Sequence, residues 1–168
     1  RVKYIKLLCM IIHPIKPVFD KNSKILILGS FPSVKSREAE FFYAHPQNRF
    51  WKVLAAVFND TLPLSTEEKK RFLLKHNVAL YDVIQSCDIN KSSDASVKNV
   101  VPADLTQITN HSKVTRIFVN GKTAEKYYNT YSEKTTGIKC VCLPSTSPAN
   151  AAFSLEKLIS EWQVIKRP

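Results

Sequence analysis

The chain has 168 residues, of which 44% are hydrophobic, which is enough for one buried core and too little for two. Lysine and arginine number 25 against 14 acidic residues, and the formal net charge of +11 favours a polyanionic partner such as nucleic acid, although it also fits a generic basic protein. Continuous apolar runs such as residues 7–12 are too short to span a bilayer, so we expect a cytoplasmic protein without a membrane partner.

The first half of the chain alternates between strand-like and helix-like patterns. Residues 24–28 form a continuous aliphatic run, typical of a strand buried on both faces. A helix is predicted over about 46–58, because Pro46 suits a first helical turn and apolar residues then recur at helical spacing. Residues 65–68 are a capping box for a second helix, and residues 78–84 indicate a strand or a strand followed by a turn.

The second half continues the alternation. A polar loop is expected around 92–96, and a short helix opened by Pro102 follows. The remaining predicted elements are strands at 116–120 and 138–143 and helices at 122–131 and from about 150 onward. Repeated crossovers of this kind place helices on both faces of a parallel sheet. We therefore predict an α/β fold, a three-layer α/β/α sandwich with a central, mainly parallel four-stranded sheet.

Cysteine spacing argues against a metal site. Cys140 and Cys142 form the one close pair, a C-x-C, and Cys9 and Cys87 lie far from it in the chain. Zinc and iron–sulfur sites use tighter sets of cysteine and histidine ligands. We expect reduced thiols, with no metal and no cofactor.

The segments that follow the predicted strands are the candidates for a binding site. Ligands of such sheets bind outside the carboxyl ends of the strands, where these segments converge. They cover residues 29–48, 82–94, 120–122 and 144–150. The chain has three glycines, too few for the glycine-rich turn of a dinucleotide or phosphate-loop site.

Three motifs in these segments resemble those of a known family. They are Gly29-Ser-Phe-Pro-Ser33, Tyr43-Ala-His-Pro-Gln-Asn-Arg-Phe-Trp51 and Leu143-Pro-Ser-Thr-Ser-Pro-Ala-Asn150. Together they resemble the uracil-DNA glycosylase superfamily, and most closely its hypoxanthine-DNA (deoxyinosine) glycosylase branch. The resemblance runs from about His13 to Trp162, so we assign residues 13–168 to a single domain of this kind and residues 1–12 to an N-terminal extension.

The first motif distinguishes this chain from other branches. Mismatch-specific uracil and thymine glycosylases share the second motif, but they have an asparagine that directs water where this chain has Phe31. The uracil-specific enzymes have an aspartate there. A phenyl ring can neither accept a proton nor orient water, which favours the hypoxanthine branch.

The resemblance implies a DNA repair enzyme that flips a deaminated base out of DNA, chiefly hypoxanthine, and hydrolyses its N-glycosidic bond to leave an abasic site. It implies that Asn48 is the catalytic residue, pairing with the base edge or steering a water, although an asparagine here also fits a helix cap. It implies that Tyr43 stacks on the flipped base, although core packing would explain the same residue. Gly29, Ser30 and Phe31 complete the expected base pocket.

Other residues are expected to assist or to bind DNA. His45 either contacts a phosphate or pins its loop, Asp82 either assists as a carboxylate or caps the next segment, and Asn120 is a further assistant. The expected DNA contacts lie in or beside the motif loops: Ser33, Lys35, Arg49, Lys122, Ser145, Ser147, Pro148 and Ala149. We expect a monomer that binds DNA containing a deaminated base. The alternatives are a mismatch-specific uracil/thymine glycosylase and a non-catalytic DNA-binding protein of the same fold.

Overall fold

The computed structural model describes residues 9–89 and 97–167. Its first seven elements are β1 (Cys9–Ile12), β2 (Ile25–Gly29), α1 (Val34–Glu38), α2 (Phe50–Val57), α3 (Thr66–Lys75), β3 (Val78–Asp82) and β4 (Ile84–Ile89). The second part contains β5 (Val97–Pro102), α4 (Thr106–Thr109), β6 (Arg116–Asn120), α5 (Lys122–Tyr131), α6 (Glu133–Thr136), β7 (Cys140–Leu143) and α7 (Leu155–Trp162), which continues into a 3₁₀ turn at Gln163–Lys166.

The central sheet has four parallel strands in the order β3-β2-β6-β7, which confirms the predicted fold class. Every residue of β2 and β3 is buried, as expected for strands covered on both faces. Right-handed crossovers place the helices between β2 and β3 on one face, where α2 packs against α7. They place α4 to α6 on the other face, where α5 packs across β6 and β7.

A second sheet lies outside these predictions. It is antiparallel and three-stranded, in the order β1-β4-β5. The short helix expected to open at Pro102 begins only at Thr106, because Pro102 ends the edge strand β5. Residues 9–12 of the expected extension form β1, and the polar loop predicted at 92–96 lies outside the described residues.

Two helices are shorter than predicted, and the reason is local hydrogen bonding. The helix expected from 46 begins at Phe50, because the Asn48 side chain accepts the Phe50 N–H and ends the preceding turn there. The helix expected from about 150 begins at Leu155, with Ser154 as its cap. The predicted cap of α3 is confirmed, since Ser65 Oγ accepts the Glu68 N–H at 3.1 Å.

The described residues contain neither a membrane-spanning helix nor a candidate metal-binding cluster. In ranges 9–89 and 97–167, no helix is both long and apolar enough to cross a membrane. The same residues include no cluster of three histidine, cysteine or acidic side chains that would suit a metal ion.

Candidate functional site

A cleft of about 300 Å³ opens at the carboxyl ends of the central strands. All three sequence motifs line it, together with the ends of β3 and β6. Its walls are formed by Gly29, Ser30, Phe31, Pro32, Ser33, Ser36, Phe42, Tyr43, His45, Asn48, Asp82, Asn120, Ser145, Thr146, Ser147 and Pro148. Four predicted residues do not line the cleft: Lys35, Arg49, Lys122 and Ala149.

Asn48 is held in one orientation by two donors. Its Oδ1 accepts the Phe50 backbone N–H at 3.0 Å and the Thr146 hydroxyl at 2.9 Å. Because a backbone N–H can only donate, the atom facing Phe50 must be the amide oxygen. Both lone pairs of that oxygen are therefore in use, and the Asn48 NH₂ group, which donates to no described residue, is presented to the cleft. The bond at the start of α2 uses the amide oxygen of Asn48, and a ligand contact would use its NH₂ group.

Thr146 connects Asn48 to a second asparagine. Thr146 is fully buried, its Oγ1 accepts from Asn120 Nδ2 at 3.0 Å, and its backbone N–H donates to Asn120 Oδ1 at 3.0 Å. The chain of bonds runs from Asn120 through the Thr146 hydroxyl to Asn48. Asn120 therefore acts on the position of Asn48 through Thr146, a residue that the sequence analysis quoted within the third motif without assigning it a role.

Tyr43 is a rigid part of the wall. Its ring stacks on Phe50 with centroids 4.0 Å apart, and its backbone has a positive φ of 53°, which is uncommon for a bulky residue. The hydroxyl is buried and has no hydrogen-bond partner among the described residues. Burial raises the pKa of Tyr43 and the Asp82 carboxylate raises it further, so the hydroxyl keeps its proton. One ring face thus serves core packing, while Tyr43 also borders the cleft.

Asp82 ends β3 and pairs with a residue that the sequence analysis did not identify. Its Oδ2 lies 2.7 Å from His13 Nε2, and both side chains are buried. Gly29, the register partner of Asp82 on β2, has no side chain to obstruct this carboxylate. A methyl group at Gly29 would lie 2.3 Å from Asp82 Oδ1. No local pattern could reveal the His13 pairing, because its partner is 69 residues away in the chain.

The half-buried side chain of Arg49 organises the 144–150 loop. Its guanidinium donates to four backbone carbonyls, those of Thr146, Ser147, Asn150 and Phe153. These bonds occupy four of the five guanidinium N–H donors, so at most one remains for the predicted contact with a DNA phosphate. Arg49 therefore fixes the shape of the loop that closes one side of the cleft.

Most of the remaining predicted residues accept hydrogen bonds from backbone N–H groups in their own loops. Ser33 caps α1 by accepting the Ser36 N–H, and His45 Nδ1 accepts the Gln47 N–H at 3.1 Å. In the third motif, Ser145 Oγ accepts the Ser147 N–H, and Ser147 Oγ accepts the Ala149 N–H. Lys35 and Lys122 are exposed and pair with Glu38 and Glu125.

We expect Arg49→Met to loosen the 144–150 loop. Methionine keeps much of the apolar length and removes every donor, and bonds from a charged group to buried carbonyls stabilise a fold by about 2 kcal/mol. Urea unfolding should show that loss, whereas Lys52→Met, at an exposed position on α2, the helix that follows Arg49, should change the free energy of unfolding little. Equal stability of the two variants would contradict the role given to Arg49.

Comparisons with known proteins agree with the motifs. A curated protein from Methanosarcina acetivorans, named "Hypoxanthine DNA glycosylase", is 33% identical over 152 residues, which cover 89% of this chain and 94% of that protein. A protein of the same name from Methanosarcina barkeri is 28% identical over 148 residues, covering 87% of this chain and 92% of that one.

A solved structure and a family model extend the comparison. A solution NMR structure from Methanosarcina acetivorans, provisionally named a uracil DNA glycosylase, superimposes with a TM-score of 0.77 at 26% identity, covering 94% of this chain and 100% of that one. The family model of the uracil DNA glycosylase superfamily matches residues 16–166. Three motifs of the chain line one cleft, and the family model matches most of the chain's length. The chain therefore belongs to the uracil DNA glycosylase superfamily.

Proposed function

We propose that this protein is a DNA glycosylase that removes deaminated bases, chiefly hypoxanthine, by hydrolysing the N-glycosidic bond. The observation that carries the proposal is the locked Asn48 amide, whose oxygen is saturated and whose NH₂ group faces a cleft of suitable size for a small planar ligand. The names of the two Methanosarcina relatives support the same substrate.

Asn48 acts on the departing base in this proposal. The bond between C1′ and the base nitrogen breaks with its electron pair going to the base, and the amide NH₂ donates to the base as negative charge develops. Water then adds to C1′ of the cationic sugar, and the proton that this water loses neutralises the base anion, which leaves an abasic site and the free base. A water-orienting role for Asn48 is disfavoured because its oxygen already accepts two hydrogen bonds.

The composition of the cleft supports a monofunctional enzyme. Among the described residues that line it, none is a lysine that could attack C1′ and form a Schiff base. Phe31 provides no polar group where related enzymes orient water. The reaction therefore depends on stabilising the leaving base, while the DNA phosphates stabilise the sugar cation.

DNA binding should depend strongly on salt, because a protein of net charge +11 displaces counterions from phosphates. We expect affinity for duplex DNA to fall at least about tenfold between 50 and 200 mM salt, as measured by fluorescence anisotropy. Lys122 is at the cleft end of β6, so Lys122→Gln should reduce the slope of log Kd against log salt by about one. Lys24→Gln is the matched control, since exposed Lys24 precedes β2 at the opposite edge of the sheet. Equal slopes for the two variants would count against a phosphate contact by Lys122.

The direct test is base excision from labelled oligonucleotides that contain hypoxanthine, xanthine, uracil or mismatched thymine. Alkali then cleaves the strand wherever a base has been removed. The proposal predicts cleavage of the hypoxanthine strand and no adduct after borohydride treatment. Excision confined to uracil or thymine would move the protein to the mismatch-specific branch, and tight binding without any excision would indicate a non-catalytic DNA-binding protein.

A further inference from the structure

A buried pair of side chains beside the cleft has no part in the reaction described above. His13 Nε2 lies 2.7 Å from Asp82 Oδ2, and the two side chains are 0% and 5% exposed. On the other side of the ring, His13 Nδ1 accepts the Ile15 backbone N–H at 3.1 Å. A ring nitrogen that accepts a hydrogen bond carries no proton, so the imidazole proton is on Nε2 and His13 donates to Asp82.

His13 thereby determines which oxygen of Asp82 is free. Oδ2 is engaged, and Oδ1, which accepts no hydrogen bond from the described residues, lies close to Gly29 where a methyl group would come within 2.3 Å. Asp82 borders the cleft. Because a carboxylate oxygen only accepts hydrogen bonds, this wall of the cleft carries an acceptor that cannot switch to a donor.

An unpartnered donor lies next to this acceptor. Tyr43 Oη is buried without a partner in the described part of the chain, and it lies 3.0 Å from the same methyl position on Gly29. Buried polar atoms are nearly always hydrogen-bonded. A free acceptor and a free donor side by side point to a ligand edge that supplies one donor and one acceptor.

We propose that the His13–Asp82 pair favours hypoxanthine over adenine by requiring a ring N–H beside a carbonyl group, a selection that rests on the proposed function. In hypoxanthine, N1–H donates to Asp82 Oδ1, and the adjacent O6 accepts from a donor of the cleft such as the Tyr43 hydroxyl. Adenine has a bare acceptor at N1, which the carboxylate repels. Deamination of adenine replaces that acceptor with the donor that Asp82 requires. Asp82 determines specificity, and His13 is a positioning residue.

The Asp82→Asn variant reverses the polarity of this wall. The His13 Nε2–H holds the new amide by its oxygen and turns its NH₂ group toward the cleft. We expect hypoxanthine release in single turnovers to fall at least about 100-fold, since an unmatched polar group in a recognition site is rejected strongly. The preference for hypoxanthine over adenine, measured by binding of 2′-fluoro oligonucleotides that resist cleavage, should fall at least about tenfold. Glu156→Gln, an exposed carboxylate-to-amide change on α7, should alter neither quantity.

A change in the substrate tests the same contact in the unaltered protein. 1-Methylhypoxanthine keeps O6 and lacks N1–H, so the wild-type protein should bind its 2′-fluoro oligonucleotide at least about 100-fold more weakly than the hypoxanthine form. Asp82→Ala removes the acceptor and makes room for the methyl group. The two oligonucleotides should then bind this variant within about threefold of each other, which separates loss of the hydrogen bond from simple crowding.

The two proposals fail in different ways. If the wild-type protein prefers hypoxanthine over adenine in binding and Asp82→Asn removes the preference, the inference stands even if no base is ever released, and the proposed function alone is wrong. If Asp82→Asn slows hypoxanthine release but leaves the binding preference for hypoxanthine over adenine intact, the inference is overturned and Asp82 acts in the chemical step.

Discussion

Asn48→Asp should reduce hypoxanthine release by about 100-fold to 1,000-fold. The new carboxylate can still accept from the Phe50 N–H and the Thr146 hydroxyl, so the local structure is kept. The variant lacks the NH₂ donor. In other enzymes, removal of one preorganised donor that faces a developing negative charge lowers the rate by a factor of this size. The carboxylate would also repel the base as it becomes negative. Single-turnover rates on a hypoxanthine-containing duplex measure the loss.

A matched control shows whether the loss depends on the position of the residue in the cleft or on the asparagine-to-aspartate change itself. Asn59 is exposed and has a left-handed backbone that aspartate also tolerates, so Asn59→Asp makes the same replacement away from the cleft. Its release rate should match that of the parent protein. If Asn48→Asp retained hypoxanthine release within about threefold of the parent, the leaving-base role of Asn48 would be refuted.

Gly29→Ala should lower hypoxanthine release at least about 100-fold. The added methyl group would lie 2.3 Å from Asp82 Oδ1 and 3.0 Å from Tyr43 Oη, so both cleft-lining atoms must shift. Displacements near 1 Å in an active site cost about this much in rate. Crowding in the fully buried strand β2 should also lower the free energy of unfolding by about 1–3 kcal/mol.

Gly137→Ala shows whether the loss of activity comes from the cleft or from lowered stability. Gly137 has a positive φ of 70° and open space around its methyl position, so alanine there is strained by about 1 kcal/mol without touching the cleft. Thermal unfolding should show both variants destabilised, and excision should be lost in Gly29→Ala alone. Comparable excision by the two variants would contradict the close packing of Gly29 against Asp82.

The central sheet was predictable because its signals are local. The continuous aliphatic run of β2 and the helical spacing of apolar residues in α2 identify buried elements without knowledge of the partners. The antiparallel sheet was not, since β5 is mostly exposed and its pairing with β4 includes register shifts that obscure strict alternation. Pro102 then suggested a helix start where the structure has a strand end.

The candidate site also has a part that the sequence could predict and a part that it could not. Residues inside the motifs, such as Tyr43 and Asn48, could be named from the sequence and do border one cleft. The bonds that orient them could not, because Thr146 reaches Asn48 across 98 positions and His13 reaches Asp82 across 69. The charge of Arg49 suggested a phosphate contact, which stays a prediction, and gave no sign that its guanidinium also binds carbonyls within the chain.

The most direct test of the account is to identify the base that the protein releases. A duplex with a single hypoxanthine is incubated with excess protein, and the small-molecule fraction is analysed by liquid chromatography and mass spectrometry. The account predicts one equivalent of free hypoxanthine for each abasic site with the parent protein, and almost none with Asn48→Asp. A duplex that stays intact with the folded, DNA-bound parent protein would contradict it.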